Sequence, residues 1–125
     1  MWIFRCYDLG QDGGFRGWCD SQEADVKAKI DFTLELLAAL KDWSLSPFYQ
    51  DLHGGCEGLG EIKIDTDNTH HRLLGFFGPG KREFTLLCGF SKETNADYGK
   101  ECPKALNRKE GVLKDGARAA VWPVP

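Results

Sequence analysis

Residues 60–92 constrain this chain most, because they read as three consecutive strands with almost no room between them. GEIKID alternates Ile62 and Ile64 against Glu61, Lys63 and Asp65, which is the period of a half-buried strand. The turn TDN leads into HHRLLGFF over His70 to Phe77, and GPGK leads into a run from Arg82 to about Phe90. The apolar continuity of FTLLCGF predicts a strand covered on both faces. Short links of this kind join antiparallel neighbours, so an antiparallel meander is the expected core of the fold.

Upstream, Trp2 to Tyr7 reads as a first strand, and Gln11 to Trp18 as a glycine-rich irregular segment. Val26, Ile30, Leu34, Leu37 and Leu40 recur at helical spacing, predicting a helix from Glu23 to about Leu40. Asp20 followed by Glu23 has the form of a capping box at its start. Pro47 is placed to open a short helical turn that Gly54-Gly55 ends, and Pro103 to open a short helix stopped by Gly111. The tail from 112 to 125 shows no clear pattern. The resulting expectation is one α+β domain over residues 1–125. Its small antiparallel sheet of about four strands, with a mixed edge, would carry the long helix and the short helices on one face.

The 125 residues, 42% of them hydrophobic, suffice for one compact core. No run of about 18 apolar residues occurs, and the start of the chain is too interrupted by Arg5 and Asp8 for a signal peptide, so the cytoplasm is the expected compartment. Five cysteines, an odd number without a C-x-x-C pair, point to reduced thiols, with Cys88 in the core. The net charge of -3 is uneven. Residues 1–59 carry five Lys/Arg against ten Asp/Glu, and residues 60–125 eleven against nine. That permits local anion binding but is not the strongly basic footprint usual for a nucleic-acid binder.

Three pieces of the meander carry a family resemblance. Gly60-Glu61-Ile62-Lys63-Ile64, His71-Arg72-Leu73-Leu74 and Leu86-Leu87-Cys88-Gly89-Phe90-Ser91-Lys92 resemble, in order and spacing, strands of the RelE/ParE superfamily of bacterial toxins. Within it the chain looks most like the HigB-like and phage-derived group. The resemblance implies the toxin of a type II toxin–antitoxin system, an mRNA interferase acting in the cytoplasm with the ribosome. Its partner would be a cognate antitoxin with a helix-turn-helix domain; no membrane, metal or small-molecule cofactor is implied. The ribose 2′-hydroxyl would attack the adjacent phosphorus, with the 5′-oxygen leaving. Arg72 would clamp the scissile phosphate, Lys63 would bind phosphate or steady the hydroxyl, and Lys92 would meet substrate or the leaving oxygen. His71 has a suitable pKa for proton transfer, although strand parity puts His70, not His71, on the Arg72 face. Arg82 and Tyr98 are the substrate-binding candidates.

Glu93, where many members carry a second base after the lysine, and the acidic balance depart from the pattern. They favour two rivals, a ParE-like binder of DNA gyrase and a catalytically degenerate phage-derived interaction protein. The bland reading of Arg72 is a strand residue paired with an acid such as Glu61, and that of the lysines is solvation. His53, Cys56, His70 and His71 lack a standard zinc spacing, and the glycines of GCEGLG and GPG read as turns rather than a phosphate loop.

Overall fold

In the computed structural model, which describes residues 1–10 and 13–122, the fold is α+β. The described strands are β1 (Ile3–Tyr7), β2 (Tyr49–Asp51), β3 (Gly60–Asp65), β4 (His70–Phe77), β5 (Glu83–Ser91) and β6 (Ala119–Trp122). The helices are α1 (Gly14–Asp20), α2 (Ala24–Ala39) and α3 (Asp97–Lys114). All six strands join one sheet in the order β2-β3-β4-β5-β1-β6. The meander, β3 to β5, is antiparallel as its short turns require, and β1 adds to β5 in parallel.

The sheet is therefore mixed and larger than the expected four strands. β2 and β6 are three and four residues long, too short to register as periodic patterns. The helices cover both faces rather than one. Phe15, Ile30, Leu34 and Leu37 from α1 and α2 pack on Ile62, Ile64, Leu73, Phe84 and Leu86. Cys102, Ala105 and Val112 from α3 pack on Leu74, Phe76, Leu87, Cys88 and Phe90. Residues 84–90 of β5 are accordingly buried throughout, and Cys88 lies in the core. Phe77 is the exception among the meander aromatics: it is 45% exposed at the rim, against Trp43.

Several local expectations give way to tertiary contacts. The glycine-rich segment is not irregular: from Gly14 it is helical, while residues 11 and 12 of that expectation lie outside the described residues. Gly14 has φ 64°, and a Cβ there would stand 2.4 Å from the Tyr7 carbonyl oxygen, so only glycine lets the chain turn this tightly off β1. The expected capping box is absent, because Asp20 ends α1 and the α2 N-cap, Glu23, makes no side-chain cap bond. Pro47 leads into β2 instead of a helix.

α3 starts earlier and ends later than Pro103 and Gly111 suggest. Asp97 accepts the backbone N–H groups of Glu93 and Thr94, fixing the entry turn ahead of the proline. Val112, 1% exposed, and the Glu110–Lys114 pair carry the helix past Gly111. The tail is ordered through β6, and residues 123–125 lie outside the described residues.

The expectation of reduced thiols is also corrected, since Cys56 and Cys102 form a disulfide. It ties the 3-10 turn Gly54–Cys56, ahead of β3, to α3. Cys6, Cys19 and Cys88 are buried and form no disulfide among the described residues.

At Gly89 an added Cβ would stand 2.3 Å from the Trp18 ring, so a bare backbone is what lets α1 lie on β5. Gly89→Ala is expected to cost about 1–3 kcal/mol through overpacking. Gly99→Ala, with open space at its Cβ inside α3, should stabilise by about 0.5–1 kcal/mol. Urea denaturation of the two variants checks the opposite signs.

Candidate functional site

β3 and β4 pair in register with Lys63 opposite Arg72. The two-residue period puts Glu61, Lys63 and Asp65 on the face covered by α3, with Arg72 beside them. Arg72 is 8% exposed and lies between two carboxylates. Its Nη1 donates to Asp65 Oδ1 at 2.7 Å and to the His71 carbonyl at 2.9 Å. Its Nε stands 3.2 Å from Glu61 Oε1, an ion-pair contact outside hydrogen-bond geometry.

Tyr98, in the first turn of α3, donates its hydroxyl to the same Glu61 Oε1 at 2.6 Å. Lys92, just past β5, hangs its Nζ 5.5 Å from the centre of the Tyr98 ring. Its backbone N–H bonds the His70 carbonyl. The exposed His70 shares a 2.9 Å bond between Nδ1 and Asp65 Oδ1.

The electrostatics follow from these contacts. Burial opposes the Arg72 charge, but Asp65 and Glu61 outweigh it and raise the pKa. Burial likewise opposes ionisation of Asp65, and the hydrogen bonds from Arg72 and His70 overcome it, lowering the pKa. For Tyr98, burial and then the bond to Glu61 push the phenol pKa up. Its hydroxyl proton is donated to the carboxylate, which fixes the Tyr98 ring against Glu61.

The structure thus brings Lys63, Arg72, Lys92, His70 and Tyr98 to one end of the α3 face. His71 is not with them. As strand parity predicts, its ring lies on the other face, 3.2 Å from Ser91 Oγ and edge-on to Trp18. Arg82 is in the β4–β5 turn, ten residues from Lys92 and roughly 30 Å along the strand. There it has φ 56° and its guanidinium lies over Trp2. Asp65 had no assigned role in the sequence, although the spacing E-x-K-x-D already aligned it with Glu61 and Lys63. Among the described residues no group of three or more His, Cys, Asp or Glu could hold a metal ion. No helix there is long and apolar enough to cross a membrane.

A mixed sheet sandwiched by helices, with an arginine and two lysines at the end of its central hairpins, defines a RelE-like α+β protein. The chain belongs to the family described as phage derived protein Gp49-like (DUF891), which matches residues 17–110 and is a family of RelE-like toxins. No curated protein matches it.

Proposed function

We propose that this protein is the toxin of a type II toxin–antitoxin pair, HigB-like in kind, and that it cleaves messenger RNA without a metal. The observation that carries the reading is the convergence of Lys63, Lys92 and His70 around Arg72 at one sheet end. Attack of a 2′-hydroxyl on phosphorus needs a proton acceptor and compensation of charge on the phosphate oxygens. His70 suits the first task. Asp65 holds Nδ1, and the side chain is 63% exposed, leaving Nε2 to take the hydroxyl proton. Lys63 and Lys92 suit the second, since neither forms an ion pair among the described residues. Arg72 adds charge from beneath and sets Asp65. The partners implied are a helix-turn-helix antitoxin and mRNA on the ribosome.

One observation favours a second reading. Arg72 faces two carboxylates, so a phosphate would meet a guanidinium already compensated. That suits a binder, such as a gyrase-directed or degenerate interaction protein.

Induced expression in a bacterial host separates the two, with growth followed and transcript ends mapped by primer extension. The variant to compare is Lys63→Ala/His70→Ala/Lys92→Ala, whose positions are exposed or half-buried. The nuclease reading expects arrest with new transcript ends, both reduced about 100-fold or more in the variant. Arrest without new ends establishes the binder, and ends cut equally by the variant remove the site from this cluster.

A further inference from the structure

The end of β4 opposite His70 carries a cleft of about 300 Å³, walled by the rings of Trp2, Trp43, Tyr49 and Phe77. Phe77 sets its geometry. The rings of Trp2, Trp43, Tyr49 and Phe84 meet Phe77 with centroids 5.0–5.4 Å away and at interplanar angles of 52–78°. None of them lies face to face with it, and Phe77 is 45% exposed, so part of a flat apolar face is open to a planar ligand. The support beneath is fixed. Trp43 is 2% exposed and its Nε1 donates to the Leu37 carbonyl at 2.8 Å.

Apolar rings alone accept many occupants, and the charged groups around them narrow the choice. Asp42, Asp51 and Lys41 line the same cleft, all three exposed. Asp42 Oδ1 accepts the Ser44 N–H at 2.9 Å and Asp51 Oδ1 the Tyr49 hydroxyl at 2.7 Å. Neither carboxylate forms an ion pair among the described residues, so each keeps an oxygen for a further donor. Lys41 and Arg82 form no ion pair there either, and the Arg82 guanidinium lies 5.8 Å from the centre of the Trp2 ring. A partner's guanidinium would suit the rings and the acids but would meet these two cations. A nucleotide uses all three features: its base stacks on an aromatic ring, its N–H edge donates to a carboxylate, and its phosphate meets a cation. Guanine carries two adjacent N–H donors on its pairing edge, which match the two oxygens of a carboxylate.

We propose that this cleft binds one unpaired guanine nucleotide of an RNA strand. The base stacks on Phe77, its N–H edge donates to Asp42 or Asp51, and its phosphate turns to Lys41 and Arg82. The proposal rests on the RNA-directed reading for the strand that supplies the base. It places a second hold on that strand roughly 24 Å from His70 along β4.

The experiment titrates the full chain with GMP, with AMP and, separately, with N-acetylargininamide, read by nitrogen-15 NMR of the Trp2 and Trp43 indole N–H groups. These rings report on the rim, so a nucleotide that settles against Lys63 and Lys92 leaves them unmoved. Saturable movement with GMP is expected, with AMP bound about tenfold more weakly. Phe77→Ala should weaken GMP about tenfold through lost stacking. Asp42→Asn/Asp51→Asn, at two exposed positions, should remove the preference for GMP and serves if Phe77→Ala misfolds. Indole signals unmoved by GMP, or equal GMP affinity in both variants, overturn the proposal. Equal affinity for AMP overturns the assignment of guanine, and a response to the arginine probe alone makes the cleft a protein-docking surface instead. A protein that cuts transcripts but leaves its rim unmoved by GMP loses this proposal only. One that binds GMP at the rim and cuts nothing keeps the site and loses the nuclease reading.

Discussion

Arg72→Ala is expected to destabilise the protein by about 3 kcal/mol, at the lower end of the range for breaking a buried ion pair. The cost falls on Glu61. Its side chain is 5% exposed and would keep the Tyr98 hydroxyl but lose the cation that balances its charge. Asp65 is 46% exposed and recovers most of its loss from water, which is why the upper end is not expected. A double-mutant cycle isolates the pair: Glu61→Ala/Arg72→Ala should cost less than the sum of the single variants by about 1 kcal/mol or more. Urea unfolding of the four proteins decides it. A loss below about 1 kcal/mol in Arg72→Ala would mean that the pair is solvated in solution. The result also bears on function. Any loss of toxicity in Arg72→Ala would have two causes, lost chemistry and lost fold, so the exposed His70 and the half-buried Lys63 and Lys92 carry the activity test.

Opening the Cys56–Cys102 bridge is expected to have the other large effect. The cysteines are 46 residues apart, and freeing a loop of that length in the unfolded chain costs about 4 kcal/mol in the chain-entropy account. The bridge joins the turn before β3 to α3, and therefore the strand that carries Glu61 to the helix that carries Tyr98. Packing of Ala105 and Val112, and the Lys109 bond to the Gly58 carbonyl, would still hold α3 to the sheet. The expected result is a weakened fold, not an unfolded one. Urea midpoints of the wild type with and without dithiothreitol, beside Cys56→Ala/Cys102→Ala, make the test. Reductant should bring the wild type down to the variant and leave the variant unmoved. A wild type that already matches the variant without reductant would show that the thiols are unpaired in solution.

The meander was legible because its signal is local. Alternation in GEIKID, the continuous apolar run of β5 and the short polar turns each act over a few residues. The same holds for α2, whose apolar stripe at helical spacing needs no knowledge of its partner. The same alternation separated His71 from Arg72 and put His70 with it. Length in sequence hides the rest. The four residues of β6 and the seven of α1 carry too little pattern to stand out, and each exists because a neighbour completes it. α1 forms because Phe15 and Cys19 bury beneath the bare backbone of Gly89, and β6 because β1 offers an open edge. Cys56 and Cys102 gave no sign of their pairing, because connectivity between distant cysteines depends on where the fold sets them.

The sequence by itself determined the alternating faces of β3 and β4, and so the company of Glu61, Lys63, Asp65, His70 and Arg72. Only the tertiary structure decided what that company is. α3 closes over it, supplies the Tyr98 hydroxyl and excludes water, and a guanidinium removed from water takes the nearest carboxylates as partners.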